Sequence, residues 1–222
     1  FGDVSFFSTM SSKLHSTGGQ GAVIFSRNRS VIERVRSVAD RGKIFKNNEF
    51  TGKYNHIGIN ANLDEMSAAI GCVQINKLNK IIIRTHLIGE KVKKILSKKS
   101  KIMKVGKQIK NSKCVYWFIR VNLDISKIKV SKSIFCKALK AEGVPLSSDY
   151  DYNPFKYKWY SSEKTKLLIN KNHIKQDINI KPKNYRSILK TDFVIFIRES
   201  FTMQDIDKII TSMLKVENYF IK

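Results

Sequence analysis

Apolar positions along the chain fall into two rhythms, short continuous runs and helical spacings. "DVSFF" and "GAVIFS" are apolar runs bounded by polar residues and predict two short strands on either side of residues 8–21. "RSVIERVRSVADRG" places Val31, Ile32, Val35 and Val38 at helical spacing and stops at Gly42. "KIFKNNEFTGKYNHIGI" holds too much Asn and Gly for a helix and predicts a long excursion. A long helix follows in "NANLDEMSAAIGCVQINKLNKIIIRTHLIGEKVKKIL", where Asn62 and Glu65 have the spacing of a capping box. Met66, Ile70, Val73 and Leu78 form one face of it, and Ala68, Ala69 and Gly71 would let another backbone approach. A helix of that length is expected to carry the chain from one structural unit to the next.

Beyond it, residues 97–113 are polar and Lys-rich and predict a turn or hairpin. "CVYWFIRVNL" reads as a strand, and "SKSIFCKALKAEGV" as a helix closed by Gly143. "DFVIFIRES" reads as a further strand, and the helix in "FTMQDIDKIITSMLKVENYF" opens on Thr202 and Asp205. The second half is therefore a small α/β or α+β unit, and there is no internal repeat. The expected organisation is two parts, residues 1–85 and 86–222.

Composition narrows the function classes. With 222 residues, 42% hydrophobic content, 13 Phe and 8 Tyr, the chain holds enough apolar material to offset the entropy of ordering. No run approaches the roughly 20 apolar residues of a membrane span, and no basic region followed by an apolar one marks a secretory signal. A soluble cytoplasmic protein is expected. Cys72, Cys114 and Cys136 are odd in number and have no ligand or redox spacing, and His15, His56, His86 and His173 are scattered, so neither disulfides nor a metal are expected. A formal charge of +24 raises nucleic acid as a partner. The excess is dispersed Lys, however, and Arg, which suits bidentate contacts to phosphates and bases, is scarce. The charge describes a solvated surface better than a dedicated nucleic-acid site.

Candidate chemistry gathers in "STMSSKLHSTGGQGAVIFS". Lys13 stands among Ser8, Thr9, Ser11, Ser12, Ser16 and Thr17, followed by Gly18, Gly19 and Gly21. Hydroxyls and freely turning glycines offer donors to an anion, a phosphate above all. A P-loop needs its lysine after the glycines, at a helix entry. A lysine before the glycines, on a turn at a strand end, suits a Schiff base to a phosphate-bearing carbonyl cofactor, although a surface charge on a structural glycine turn remains the alternative.

"FFSTMSSKLHSTGGQGAVIFS" resembles the cofactor-lysine segment of the DegT/DnrJ/StrS sugar aminotransferases, a family of fold-type I pyridoxal-phosphate enzymes. The resemblance implies that Lys13 bears pyridoxal 5'-phosphate and that Ser8 binds its phosphate. "INANLDEMSAAIGCVQINKL" is similar to the family stretch whose Asn reaches the phosphate of the neighbouring subunit's cofactor, and Asn60 is the match. "ALKAEGVP" and "DFVIFIRESFTMQDIDKIITSMLKV" resemble the small-domain helix and the closing strand and helix. The implied fold is α/β, the C-terminal part of a fold-type I transferase: the end of a large domain (1–85) with the start of a connecting helix, then a small α/β domain (86–222). The implied dimer has shared active sites.

The chain also departs from the family pattern. The Asp that pairs with the pyridine nitrogen and the residue that stacks on the ring belong to earlier strands of the large domain, and Phe1 in place of a start methionine fits a C-terminal portion. Asn62 stands where the family usually has Arg, and Arg198 where it often has His. Gln20, Gly21 and Ala22 stand where an acidic residue before a glycine pair is usual. Related dehydratases replace the lysine by His, which makes His15 a candidate substrate-site residue beside Lys13.

The implied reaction moves an amino group from an amino acid, typically glutamate, to a keto-sugar nucleotide, with Lys13 as general acid and base. Two other classes remain open. One is a non-catalytic or dimerising module of the same ancestry, which would expose an apolar surface. The other is a basic nucleic-acid-binding domain.

Overall fold

A computed structural model describes residues 2–153, 157–159, 162 and 184–222. His173 lies outside the described residues. The chain divides into two compact units, Phe1–Ile83 and Arg84–Lys222.

The first unit begins with a hairpin of β1 (Val4–Ser8) and β2 (Ala22–Ser26), paired antiparallel from Val4 opposite Ser26 to Ser8 opposite Ala22. Residues directly opposite one another share a face. Phe6 and Ile24 therefore lie on one face, and Phe7, Val23 and Phe25 on the other, all of them exposed. Helix α1 (Arg29–Ala39) is capped by the Asn28 side chain, which accepts from the Ser30 amide. It ends before Gly42, whose φ of +84° lies in the left-handed region.

The expected long excursion is instead a second hairpin, β3 (Lys43–Lys46) and β4 (Glu49–Tyr54). Asn47 and Asn48, at φ +50° and +69°, form its two-residue connection, a conformation that Asn tolerates and that matches the strand twist. Arg36 of α1 holds this turn, with its Nη1 donating to Asn48 Oδ1 at 2.9 Å and its guanidinium 3.9 Å from the Phe45 ring centroid.

Helix α2 (Glu65–Lys99) contributes to both units. The expected Asn62–Glu65 capping box is not formed. Asp64, the residue before the helix, caps it, accepting from the Ser67 amide at 2.8 Å and the Ser67 hydroxyl at 2.8 Å, and the Asn62 side chain donates to Asn60 Oδ1. Met66, Ile70 and Val73, expected on one face, are all exposed.

The second unit is built on a four-stranded sheet in the order β5 (Met103–Val105), β6 (Phe118–Leu123), β8 (Asp192–Phe196), β7 (Leu146–Ser147), antiparallel throughout. Ile119, Val121 and Leu123 of β6, with Phe193 and Ile195 of β8, supply the sheet's share of the core. The helical share comes from Ile88, Val92 and Leu96 of α2, from Phe135, Cys136 and Leu139 of α3 (Lys132–Ala141), and from α5 (Met203–Phe220) through Ile206, Ile210, Met213 and Val216. The last helix starts as the sequence predicts, Thr202 with Asp205 forming a complete capping box on α5, and Ser131 caps α3. Gly143, at φ +84°, closes α3. A short helix, α4 (Tyr185–Thr191), precedes β8.

The strand expected from Cys114 begins only at Phe118. Tyr116 has a φ of +48°, and Thr85 Oγ1 and His86 Nδ1 donate to the carbonyls of Val115 and Cys114 at 2.7 and 2.8 Å. No helix among the described residues is long and apolar enough to cross a membrane. Nor do the described residues contain a metal-sized group of His, Cys, Asp and Glu.

Candidate active site

The connection between β1 and β2 is tied at its base and turned at its tip. Thr9 N donates to Gly21 O at 2.8 Å and Ser11 N to Gly19 O at 2.9 Å, continuing the pairing beyond the strands. Thr17 folds back inside this ladder. Its amide and hydroxyl both reach the Thr9 carbonyl, at 2.9 and 3.0 Å, and the two threonine hydroxyls lie 3.1 Å apart. Both threonines are buried, so their polar atoms satisfy one another in place of water. Gly21 is required here: a Cβ would stand 2.7 Å from Thr9 Oγ1 and 2.9 Å from Leu63 Cδ1.

At the tip, Lys13 N donates to Met10 O at 2.8 Å, closing a tight turn that carries the half-buried Lys13 side chain. Ser8, exposed at the end of β1, accepts from the Met10 amide at 3.4 Å. Ser8 and Lys13 thus share one short connection, five residues apart.

His15 joins that connection to α2. Its Nε2 lies 3.1 Å from Gly71 O, and because a carbonyl only accepts, Nε2 carries the hydrogen. A Cβ on the buried Gly71 would meet Thr17 Cγ2 at 3.1 Å. The small Gly71 thus admits the Thr17 and His15 side chains, where the sequence suggested the approach of another backbone.

Asn60 is held by a different set of partners. Ile59 N and Ala61 N donate to Val38 O and Ala39 O, each at 2.8 Å, and Arg41 N donates to Ile59 O at 2.9 Å, fixing residues 59–61 across the end of α1. The Asn60 side chain is exposed, and its Oδ1 accepts from Asn62 Nδ2 at 3.2 Å. The buried Asp40 carboxylate nearby accepts from Arg41 Nη1 at 2.7 Å and Lys43 Nζ at 3.0 Å. The hydrogen bond from Lys43, then the polar Asn62 side chain, and the charges of Lys43 and Arg41 hold the Asp40 carboxyl below its ordinary range, against the opposing effect of burial. Sequence reasoning passed over Asp40, and its only signal was an acid followed closely by two cations in "ADRGK".

The unit thus presents an amine on a turn, a hydroxyl at a strand end and an amide on a fixed segment. The sequence model of the DegT/DnrJ/EryC1/StrS aminotransferase family matches residues 1–183. The chain belongs to this family. Solved structures of DegT/DnrJ/EryC1/StrS-type enzymes share its fold. The aminotransferase TlmJ from Streptoalloteichus hindustanus matches at a TM-score of 0.73 and 18% identity, over 98% of this chain and 53% of its own. Helicobacter pylori PseC, an aminotransferase involved in the biosynthesis of pseudoaminic acid, matches at 0.76 and 17%, over 99% and 54%. GDP-4-keto-6-deoxy-D-mannose-3-dehydratase of E. coli, solved with bound hydrated PLP, matches at 0.75 and 16%, over 96% and 55%. The chain spans about half the length of these proteins. No curated protein matches it by sequence.

Proposed function

We propose that this chain carries the cofactor lysine of a pyridoxal-5'-phosphate-dependent sugar aminotransferase, which moves an amino group from an amino acid, glutamate by preference, to a keto-sugar nucleotide. The observation that carries the reading is Lys13 on its closed turn between β1 and β2, five residues after Ser8, in a chain of the aminotransferase family.

The donor set suits both ends of the cofactor. Lys13 Nζ is the amine a carbonyl requires, while the Ser8 hydroxyl and the Asn60 amide are neutral donors of the kind a phosphate accepts from. Gly21, with no room for a Cβ against Thr9, keeps the base of the turn closed and the lysine in place. When bound, pyridoxal 5'-phosphate supplies an electron sink for the substrate carbon. Lys13 Nζ takes the proton from that carbon and returns it, acting as general base and then general acid. Ser8 holds the phosphate from the same chain, and Asn60 does so from the second subunit of a homodimer. His15, its Nε2 committed to Gly71 O, holds the turn against α2 next to the substrate.

On this reading residues 1–85 are the end of the cofactor-binding domain and residues 86–222 the small domain. The enzyme works in the cytoplasm on small molecules. Retention of Lys13 favours amino transfer over the dehydration named for the E. coli relative. A second reading, a non-catalytic or dimerising module of the same ancestry, draws support from the exposed apolar faces of the β1–β2 hairpin.

The experiment is Lys13→Ala in the holoenzyme containing this chain. The visible absorbance of bound pyridoxal 5'-phosphate should vanish together with amino transfer, and an unchanged spectrum would sink the assignment. For the second reading, adding pyridoxal 5'-phosphate to the unsubstituted protein should produce no visible band.

A further inference from the structure

We infer that the lysine-rich surface formed by the end of α2, strand β5 and the loop of residues 106–115 docks the second unit on an anionic lipid surface, with Ile109 entering the headgroup layer.

Between Lys91 and Lys113 the chain carries ten lysines and no Asp or Glu. Its tertiary course gathers that charge. β5 follows α2 directly and is an edge strand, with Lys104 exposed between the buried Met103 and the half-buried Val105. The loop then returns to the helix, because Tyr116 packs on Gly89 while Thr85 and His86 hold the carbonyls of Val115 and Cys114. A cleft of about 350 Å³ brings Lys93 of α2 together with Lys107 and Lys113 of the loop. Lys91 pairs with Asp207 and Lys93 with Glu90, and no ion pair among the described residues engages the other eight lysines. Glu217, at the junction of α2 and β5, is buried with its oxygens taken by the Ser100 hydroxyl and the Lys101 amide.

The loop tip is a closed turn. Ser112 N and Oγ donate to Ile109 O at 3.1 and 2.6 Å, and Asn111 takes a φ of +62°. The turn presents Ile109, 80% exposed, flanked in sequence by Lys107 and Lys110.

Protection of an edge strand from pairing would account for Lys104 alone. A nucleic-acid groove would offer rings for bases to stack on and Arg forks for phosphates, and residues 91–113 hold no Phe, Tyr, Trp or Arg. Clustered lysines around an apolar tip suit an anionic bilayer face, which attracts the ammonium groups and buries the tip.

The test is co-sedimentation of the enzyme containing this chain with vesicles of phosphatidylcholine alone and of equal parts phosphatidylcholine and phosphatidylglycerol, across a salt series. It should bind the mixed vesicles only, and less as salt rises. Lys110→Gln with Lys113→Gln should weaken binding about thirtyfold, about fivefold for each lysine. Lys137→Gln with Lys140→Gln, an equal loss of charge on α3 beside the opposite edge strand β7, should leave it unchanged. Ile109→Ser should weaken it about tenfold without altering the salt dependence. Unchanged circular dichroism in each variant keeps a lost contact distinct from a lost fold. Failure to bind the mixed vesicles, equal loss from the two lysine pairs, or no effect of Ile109→Ser would overturn the inference. Binding of a single-stranded RNA oligomer in preference to the mixed vesicles, lost in Lys110→Gln with Lys113→Gln, would assign the surface to nucleic acid and overturn it likewise.

Discussion

Gly58 and Gly42 lie backbone against backbone. A Cβ on Gly58 would press on the Gly42 amide, with Val38 O at 2.6 Å and Arg41 C at 2.8 Å, while one on Gly42 would strike His56 O. This contact lets residues 59–61 pair with the end of α1 and so places Asn60. Gly58→Ala must push rigid backbone apart, and it should destabilise the first unit by about 3 kcal/mol, read as a lowered denaturant midpoint. A midpoint within experimental error of the unsubstituted protein would refute the packing described.

The His15–Gly71 bond predicts a separation of stability from chemistry. His15→Phe keeps the ring and loses the donor, and it should cost about 1 kcal/mol in stability while retaining most of the amino transfer. A loss of turnover by orders of magnitude at unchanged stability would instead place the imidazole in the chemistry.

Tyr116 should shape the alkaline limb of the stability curve. Its ring packs on Gly89 and its hydroxyl donates to Glu90. Burial, then the Glu90 hydrogen bond and charge, push the hydroxyl well above its ordinary range. Above a pH of about 10 the unfolded chain ionises at this residue while the folded chain does not, so this contribution is complete below that pH and is lost as pH rises toward the folded value. Glu90 has the opposite sign. Held low chiefly by the Tyr116 hydrogen bond, it contributes above a pH of about 4.3 and loses that contribution as pH falls through its folded value. Denaturant midpoints across pH should fall less steeply at both ends in Tyr116→Phe, and parallel curves would count against the pair.

Lys132 gathers chain segments that are distant in sequence. Its largely buried ammonium donates to Ser148 O at 2.9 Å, Leu189 O at 2.5 Å and Asp192 O at 3.1 Å, and pairs with Asp149 at 3.2 Å. Lys132→Met leaves those carbonyls without their donor, and a loss of about 2 to 3 kcal/mol is expected in thermal or chemical unfolding. Lys140→Met, on the same helix, should be nearly neutral.

The start of the last helix was legible because a cap is local: Thr202 and Asp205 need only each other. Lys13 was legible for the same reason, since hydroxyls, lysine and glycines sit within one short stretch. Partners set by tertiary contact were not. Asn62 has the spacing of a cap toward Glu65, yet the helix starts at Glu65 with Asp64 as its cap, and the Asn62 amide donates to Asn60 Oδ1 instead. The Asn47–Asn48 turn was hidden because Asn and Gly mark both irregular chain and tight hairpins, and the bulged pairing around Ile44 blurs the strand alternation. Tyr116 reads as part of an apolar strand, whereas its ring packs on Gly89, its hydroxyl donates to Glu90, and Thr85 and His86 hold the two carbonyls before it.

The β1–β2 hairpin exposes large apolar side chains on both faces, with Phe6 76%, Phe7 62% and Phe25 58% accessible, in a chain of formal charge +24. These two properties act against each other in solution. Like-charge repulsion holds copies of the chain apart while the hairpin favours their association, and only the repulsion is weakened by added salt, its range falling to about 8 Å at physiological ionic strength. The balance predicts that self-association of this polypeptide rises with added salt, the reverse of proteins that salt dissolves, which light scattering across a salt series would check.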